Sequence, residues 1–183
     1  MKAMETNLPE VMVLEPRVFS DARGHFFEAF QIQRFEALTG VTAAFVQDNQ
    51  SRSNRGVLRG LHYQLGEHPQ GKLVRALSGE IFDVAVDIRR SSPRFGQWTG
   101  VHLSGDNLRQ LWIPGGFAHG FLVLSEQAEV LYKVTDFYAP EEERTIRWDD
   151  PEIAIEWPKA GCDPVLSDKD AAAPKLGEAE TFD

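Results

Sequence analysis

The stretch IFDVAVDI at residues 81–88 decides the fold. Phe82, Val84, Val86 and Ile88 share one side of an extended chain, and Asp83 and Asp87 fall on the other. That period of two marks a β-strand, half-buried with its apolar side in a core. Upstream, the runs at 73–77, 57–63, 44–47 and 26–30 read as strands; downstream, so do 98–103, 108–113, 117–124 and 130–137. Turn residues divide them at Ser78-Gly79, Ser91-Ser92-Pro93, Ser104-Gly105 and Pro114-Gly115-Gly116, where glycine and proline favour chain reversal. Many short strands between such turns predict a mainly β sandwich or barrel. Two helices are minor elements. One spans 31–38, with Ile32, Phe35 and Leu38 at helical spacing; the other lies near the C-terminus, where Ser167 is the cap and Asp170 stands three residues on. Pro174 keeps the second helix short, and the acidic tail from Gly177 is expected to fray.

A chain of 183 residues with no break in composition is expected to form a single domain over 1–183. A net charge of −9 argues against a general nucleic-acid binder, which needs a basic stripe to neutralise phosphates. Any phosphate ligand must then meet a local basic pocket. Apolar runs such as 121–124 are far shorter than the ~20 residues of a spanning helix, so no membrane association is expected. The single cysteine, Cys162, has no partner in the chain, and residues 1–10 lack the apolar stretch of a secretory signal. A reducing, cytoplasmic setting is the expectation.

The chemistry concentrates in GVLRGLHYQ at 56–64. Strict alternation would send Arg59 and His62 to opposite faces, but Gly60 between them is a place where a bulge restores a common direction. The competing reading is a surface arginine beside a core histidine.

The wider pattern resembles the cupins, double-stranded β-helix (jelly-roll) barrels whose first motif runs G-x5-H-x-H and whose second contains P-x-G-x2-H. Gly56 and His62 match the first, and Pro114, Gly116 and His119 match the second. The match then breaks: Gln64 stands at the second histidine, the usual glutamate is missing, and Val123 replaces the late asparagine. His62 and His119 alone cannot make a site of three or four ligands, so the expectation is a cupin barrel without a metal.

Three longer stretches narrow the resemblance: RGLHYQ at 59–64, GKLVRALSGEIFDVAVDIR at 71–89 and LWIPGGFAHGF at 111–121. With LEPRVFSDARGHFFE at 14–28 and LSDKD at 166–170, nearly the whole chain is similar to the dTDP-4-dehydrorhamnose 3,5-epimerase family. That family uses no cofactor and inverts the carbons flanking a 4-keto group in a dTDP-linked 6-deoxyhexose. The resemblance implies that His62 is the base, Asp170 its carboxylate partner, Lys72 the charge facing the enolate oxygen and Tyr132 the acid on the opposite face. Histidine as a residue type suits proton abstraction near neutrality; a carboxylate behind it fixes its tautomer; a fixed cation stabilises the oxyanion. For binding, the resemblance implies Arg23, Glu28, Gln47, Asp48, Asn49, Arg59, Lys72, His119, Glu143 and Lys169, with Tyr138 stacked on thymine. It also implies a homodimer, because part of the family's N-terminal segment crosses to a partner subunit. Tyr63 and His25 depart from the family, which commonly carries phenylalanine there.

Each residue also has a plainer reading: Asp170 as a helix cap, Lys72 as a solvated strand end, Tyr132 as a packed core tyrosine, Arg23 and Glu28 as surface charges. Competing functions are a one-carbon epimerase or ketoisomerase of a related dTDP-sugar, a metal-dependent cupin oxygenase, and a sugar-nucleotide sensor without catalysis.

Overall fold

The computed structural model describes residues 1–183. Its elements run β1 Lys2–Glu5, β2 Met12–Glu15, β3 Val18–Asp21, β4 Gly24–Phe27, α1 Ile32–Thr39, β5 Gln47–Asn54, β6 Leu58–Gln64, β7 Lys72–Ser78, β8 Glu80–Asp87, β9 Trp98–Ser104, β10 Gln110–Ile113, β11 Phe117–Val123, β12 Gln127–Val134, β13 Glu143–Thr145 and α2 Asp168–Ala171, with a last 3-10 turn at Leu176–Glu178. Two antiparallel sheets face each other, one ordered β1-β2-β10-β7-β12-β5 and the other β13-β6-β11-β8-β9. The hairpin β3-β4 forms a small sheet of its own. This is the mainly β, jelly-roll architecture expected. No helix is long and apolar enough to cross a membrane.

The space between the sheets holds the main core, with Ile81 and Ala85 of β8 meeting Val74, Leu111, Phe121 and Val130. Phe82, Val84, Val86 and Ile88 point the other way, into a second cluster with Leu61, Ile146, Leu176 and Ala179. The expectation of a half-buried strand at 81–88 is therefore corrected: both faces of β8 are buried. The C-terminal chain covers the outer face, so the side carrying the acids is the barrel interior. The same packing corrects the expected fraying after Gly177. Leu176 and Ala179 lie in the outer cluster, Phe182 exchanges backbone hydrogen bonds with Ile88 and Arg90, and the Tyr63 hydroxyl donates to the Glu180 carbonyl.

A third cluster covers the outside of the larger sheet, where Phe35 of α1 makes edge-on contacts with Trp112 and Phe45 at centroid distances of 5.0 and 5.2 Å. The helix starts one residue later than expected because Gln31 is its cap, its side-chain oxygen accepting from the Arg34 N–H. The strand expected at 44–47 is instead Gln47–Asn54, a polar edge strand beside β12. The strands β1, β2, β3 and β13, each four residues or fewer, were not anticipated.

Candidate active site

A cavity of about 290 Å3 opens between the sheets. Lys72 of β7, Tyr132 of β12 and Gln47 and Asn49 of β5 enter it from the larger sheet; His62 and Gln64 of β6 and Glu143 of β13 enter it from the smaller one. Tyr138 closes one side from the loop between β12 and β13. A second recess of about 230 Å3 shares His62 and adds Arg59, Lys169 and Asp170.

The expected bulge is present. His62 pairs with His119 and Arg59 with Phe121, so three steps along β6 answer two along β11. Gly60 permits it: its φ is +135°, and a Cβ there would lie 2.5 Å from Gly120 Cα and 2.9 Å from the His119 oxygen. Arg59 and His62 thereby line the same recess, with the Arg59 guanidinium donating to Ser53 Oγ at 3.1 and 3.2 Å.

His62 Nε2 lies 2.5 Å from Asp170 Oδ1. Asp170 is 3% exposed. Burial pushes its pKa up, but the hydrogen bond and charge of His62, with hydrogen bonds from Ser167 and the Gly60 backbone, outweigh burial and hold the carboxyl below its usual range. The helix-cap reading and the catalytic reading coexist, since the Asp170 backbone N–H donates to Ser167 Oγ while the carboxylate faces His62.

Lys72 is 7% exposed, and its ammonium donates to the His62 carbonyl at 3.2 Å. Burial lowers its pKa to about 8, against the opposing pull of Asp83 and Glu143. Beneath the cavity, His119 Nε2 contacts Asp83 Oδ1 at 2.7 Å, and burial pushes this histidine toward its neutral form. Asp83 is wholly buried and its Oδ2 has no hydrogen-bond partner, so its charge is left to act on Lys72 and His119. The Tyr132 phenol is raised by burial and by Glu143, with Arg59 opposing, so it holds its proton at neutral pH. Glu143 accepts from the Tyr138 hydroxyl at 2.9 Å and pairs with Lys169 at 2.5 Å.

Within one chain, four of the expected site residues line neither the cavity nor the recess beside it. His119 lies in the layer below the cavity. Asp48 turns to the opposite side of β5 from Gln47 and Asn49, where its carboxylate binds Lys133 at 2.9 and 3.0 Å. Arg23 sits at the tip of the β3-β4 hairpin against Asp21, and Glu28, just past that hairpin, pairs with Arg34 at 3.1 Å. Two residues gain roles that the sequence reading did not give them. Asp83 is one of two acids on the same side of an apolar strand, and Gln64 stands where the cupin motif has its second histidine. No group of three or more His, Cys, Asp or Glu side chains converges as a metal site would require.

This cavity is suited to moving protons at carbon: a carboxylate-backed imidazole and a protonated phenol enter it from opposite sheets, and a buried ammonium lines the same space. The class so defined is a proton-transfer epimerase or isomerase on a cupin barrel. A family profile described as dTDP-4-dehydrorhamnose 3,5-epimerase matches residues 5–178. A dTDP-4-dehydrorhamnose 3,5-epimerase of Pseudomonas aeruginosa is 59% identical over 182 residues, covering 100% of this chain and 99% of that protein. One from Salmonella typhimurium is 59% identical over 179 residues, covering 98% of this chain and 97% of the relative. A crystal structure of a dTDP-6-deoxy-D-glucose-3,5-epimerase from Legionella pneumophila, in complex with dTDP-4-keto-L-rhamnose, superposes with a TM-score of 0.94 at 56% identity, over 98% of this chain and 94% of that one. The chain belongs to the dTDP-4-dehydrorhamnose 3,5-epimerase family, and its activity is that epimerisation, in dTDP-rhamnose biosynthesis.

Proposed function

We propose that the protein binds dTDP-4-dehydro-6-deoxy-D-glucose between its sheets and inverts carbons 3 and 5 with its own side chains alone, giving dTDP-4-dehydro-L-rhamnose. The observation that carries this reading is the placement of His62 and Tyr132 on opposite walls of one cavity. At each carbon, His62 takes the proton beside the ketone, and Asp170 stabilises the imidazolium that results. The carbon's electron pair moves onto the keto oxygen, and Lys72 faces the enolate. Tyr132 then delivers its proton to the other face of the carbon; solvent reprotonates the phenolate and removes the proton from His62. The Tyr138 ring stacks on thymine, with Gln47 and Asn49 beside the nucleoside, while Asp48, on the other side of β5, holds Lys133. Arg59 and Lys169 lie where a pyrophosphate could bridge into the second recess, Glu143 orients Lys169 and Tyr138, and His119 supports the floor. Forked and point-charge donors suit phosphate oxygens.

The test is incubation of dTDP-4-keto-6-deoxyglucose with the protein in deuterated water containing EDTA, followed by NMR. Deuterium at both carbons 3 and 5 of inverted product is the expected outcome. Loss of turnover that a divalent metal restores would overturn the metal-free reading, and labelling at one carbon alone would reduce the activity to a single inversion.

The functional unit we propose is a homodimer, each chain a single domain whose β3-β4 hairpin reaches its partner. Phe19 and Phe26 on this hairpin are 51% and 71% exposed, an apolar surface that calls for a cover. Arg23 and Glu28, remote from the cavity of their own chain, would then complete the cavity of the other. Sedimentation in dilute solution should give the mass of two chains; a fully active monomer would contradict this. A cytoplasmic location suits an exposed, unpaired Cys162, and recovery in the soluble fraction under reducing conditions would be consistent with it, whereas a periplasmic pool would not.

A further inference from the structure

We propose that Gln64 is a positioning residue for the nucleotide: it fixes the loop that presents Tyr138 to the strand that carries His62. The proposal rests on the reading of Tyr138 as the thymine-stacking ring.

The loop between β12 and β13 has no strand or helix of its own, so its position depends on what ties its backbone down. Gln64, the last residue of β6 and 4% exposed, supplies the ties on both sides of Tyr138. Its side-chain oxygen accepts from the Ala139 N–H at 3.1 Å, and its Nε2 donates to the Phe137 carbonyl at 3.2 Å. The other Nε2 hydrogen goes to the His68 carbonyl at 2.9 Å, which joins the loop before β7 to the same amide. A carboxamide is the group that fits, because it offers two donors and an acceptor in one plane. A carboxylate would turn both donors into acceptors aimed at carbonyl oxygens. A methionine would leave three backbone groups without partners in a buried place.

Tyr138 is then held at three points, one of them its own N–H, which donates to Gln47 Oε1 at 3.4 Å. Its backbone lies between the two residues bound by Gln64, and its hydroxyl donates to Glu143, which pairs with Gln64 across β6 and β13. The ring itself is 53% exposed on the cavity wall, free to take a planar partner. Gln64 and His62 are two residues apart on one strand, so one rigid element sets both the base of the reaction and the place of the nucleobase.

A double-variant cycle on dTDP binding, read by titration calorimetry, tests this. Tyr138→Ala should weaken dTDP by about tenfold, the order of a lost aromatic–base stack. Gln64→Glu and Gln64→Met should each weaken it by a similar factor, with KM for the sugar nucleotide rising more than kcat falls. Combined with Tyr138→Ala, neither Gln64 substitution should weaken dTDP by more than about a further twofold, since a residue acting through another loses its effect when that residue is gone. Unchanged dTDP affinity in Tyr138→Ala would sink the stacking assignment, and the proposal with it. A normal Tyr138→Ala effect that multiplies with that of Gln64 would overturn the proposal alone. So would failure of both Gln64 variants to give the native circular dichroism spectrum, because the amide would then be holding the barrel rather than one loop.

Discussion

Replacing His62 by alanine is expected to lower kcat by ~10²–10⁴, the range for loss of a positioned general base. The upper end applies if one imidazole serves both carbons, because each inversion then fails for the same reason. That factor corresponds to about 3–5 kcal/mol of transition-state stabilisation. The geometry gives no substitute. Lys72 is positively charged below pH 8 and cannot accept a proton there, the Tyr132 phenol keeps its proton, and His119 is in the layer beneath with its Nε2 on Asp83. Asp170 would remain as a buried carboxylate behind an empty position, at 3% exposure, too recessed to reach the sugar carbon. Steady-state kinetics on the folded variant is the check; a loss under tenfold would remove His62 from the role of base.

Lys72→Ala should cost ~10²–10³ in kcat, the scale measured for removing one oxyanion donor, and should change KM much less. The charge it faces appears only as the proton leaves, so the interaction belongs to the transition state rather than to ground-state binding. The wild-type enzyme carries a second signature of the same group. An ammonium acts only while protonated, so kcat should fall as pH rises through the lysine's value of about 8. An ordinary lysine would hold its charge to about pH 10. The groups setting that value are Asp83 on β8 and Glu143 on β13, which favour the charge, and Lys169 on α2 and burial, which oppose it. Lys72→Arg, which stays charged through this range, should abolish the alkaline limb even if it is slow. A wild-type profile flat to pH 10, or an alanine variant that only raises KM, would move Lys72 to binding.

Most of the fold was legible because its strands bury a side. Residues 81–88 alternate cleanly, and 98–103 and 117–124 were found nearly to the residue. The strand β5 escaped because QDNQSRSN carries no hydrophobic contrast: Gln47 and Asn49 face a polar cavity, and Asp48 faces Lys133 near solvent. The anchoring of the tail escaped because a few residues, Leu176, Ala179 and Phe182, hold it through contacts far away in sequence. At the site, the bulge at Gly60 could be argued from strand parity alone. The pairing of His62 with Asp170 came from resemblance, since 108 residues separate them and no local pattern relates the two. Asp83 and Gln64 act on neighbours brought to them by sheet pairing and loop return, and spacing along one strand carries no information about that.

The measurement that tests the division of labour most directly is deuterium uptake at carbons 3 and 5 of the sugar, read by NMR on substrate and product recovered after partial reaction in deuterated water. His62→Ala should take up no deuterium at either carbon at an appreciable rate. Tyr132→Phe, first checked for folding, keeps the base on one wall and loses the acid on the other. Its proton can return only to the face it left, so label should enter without inversion at one carbon or both. Rapid uptake in His62→Ala, or inverted product from Tyr132→Phe at the wild-type rate, would contradict the account.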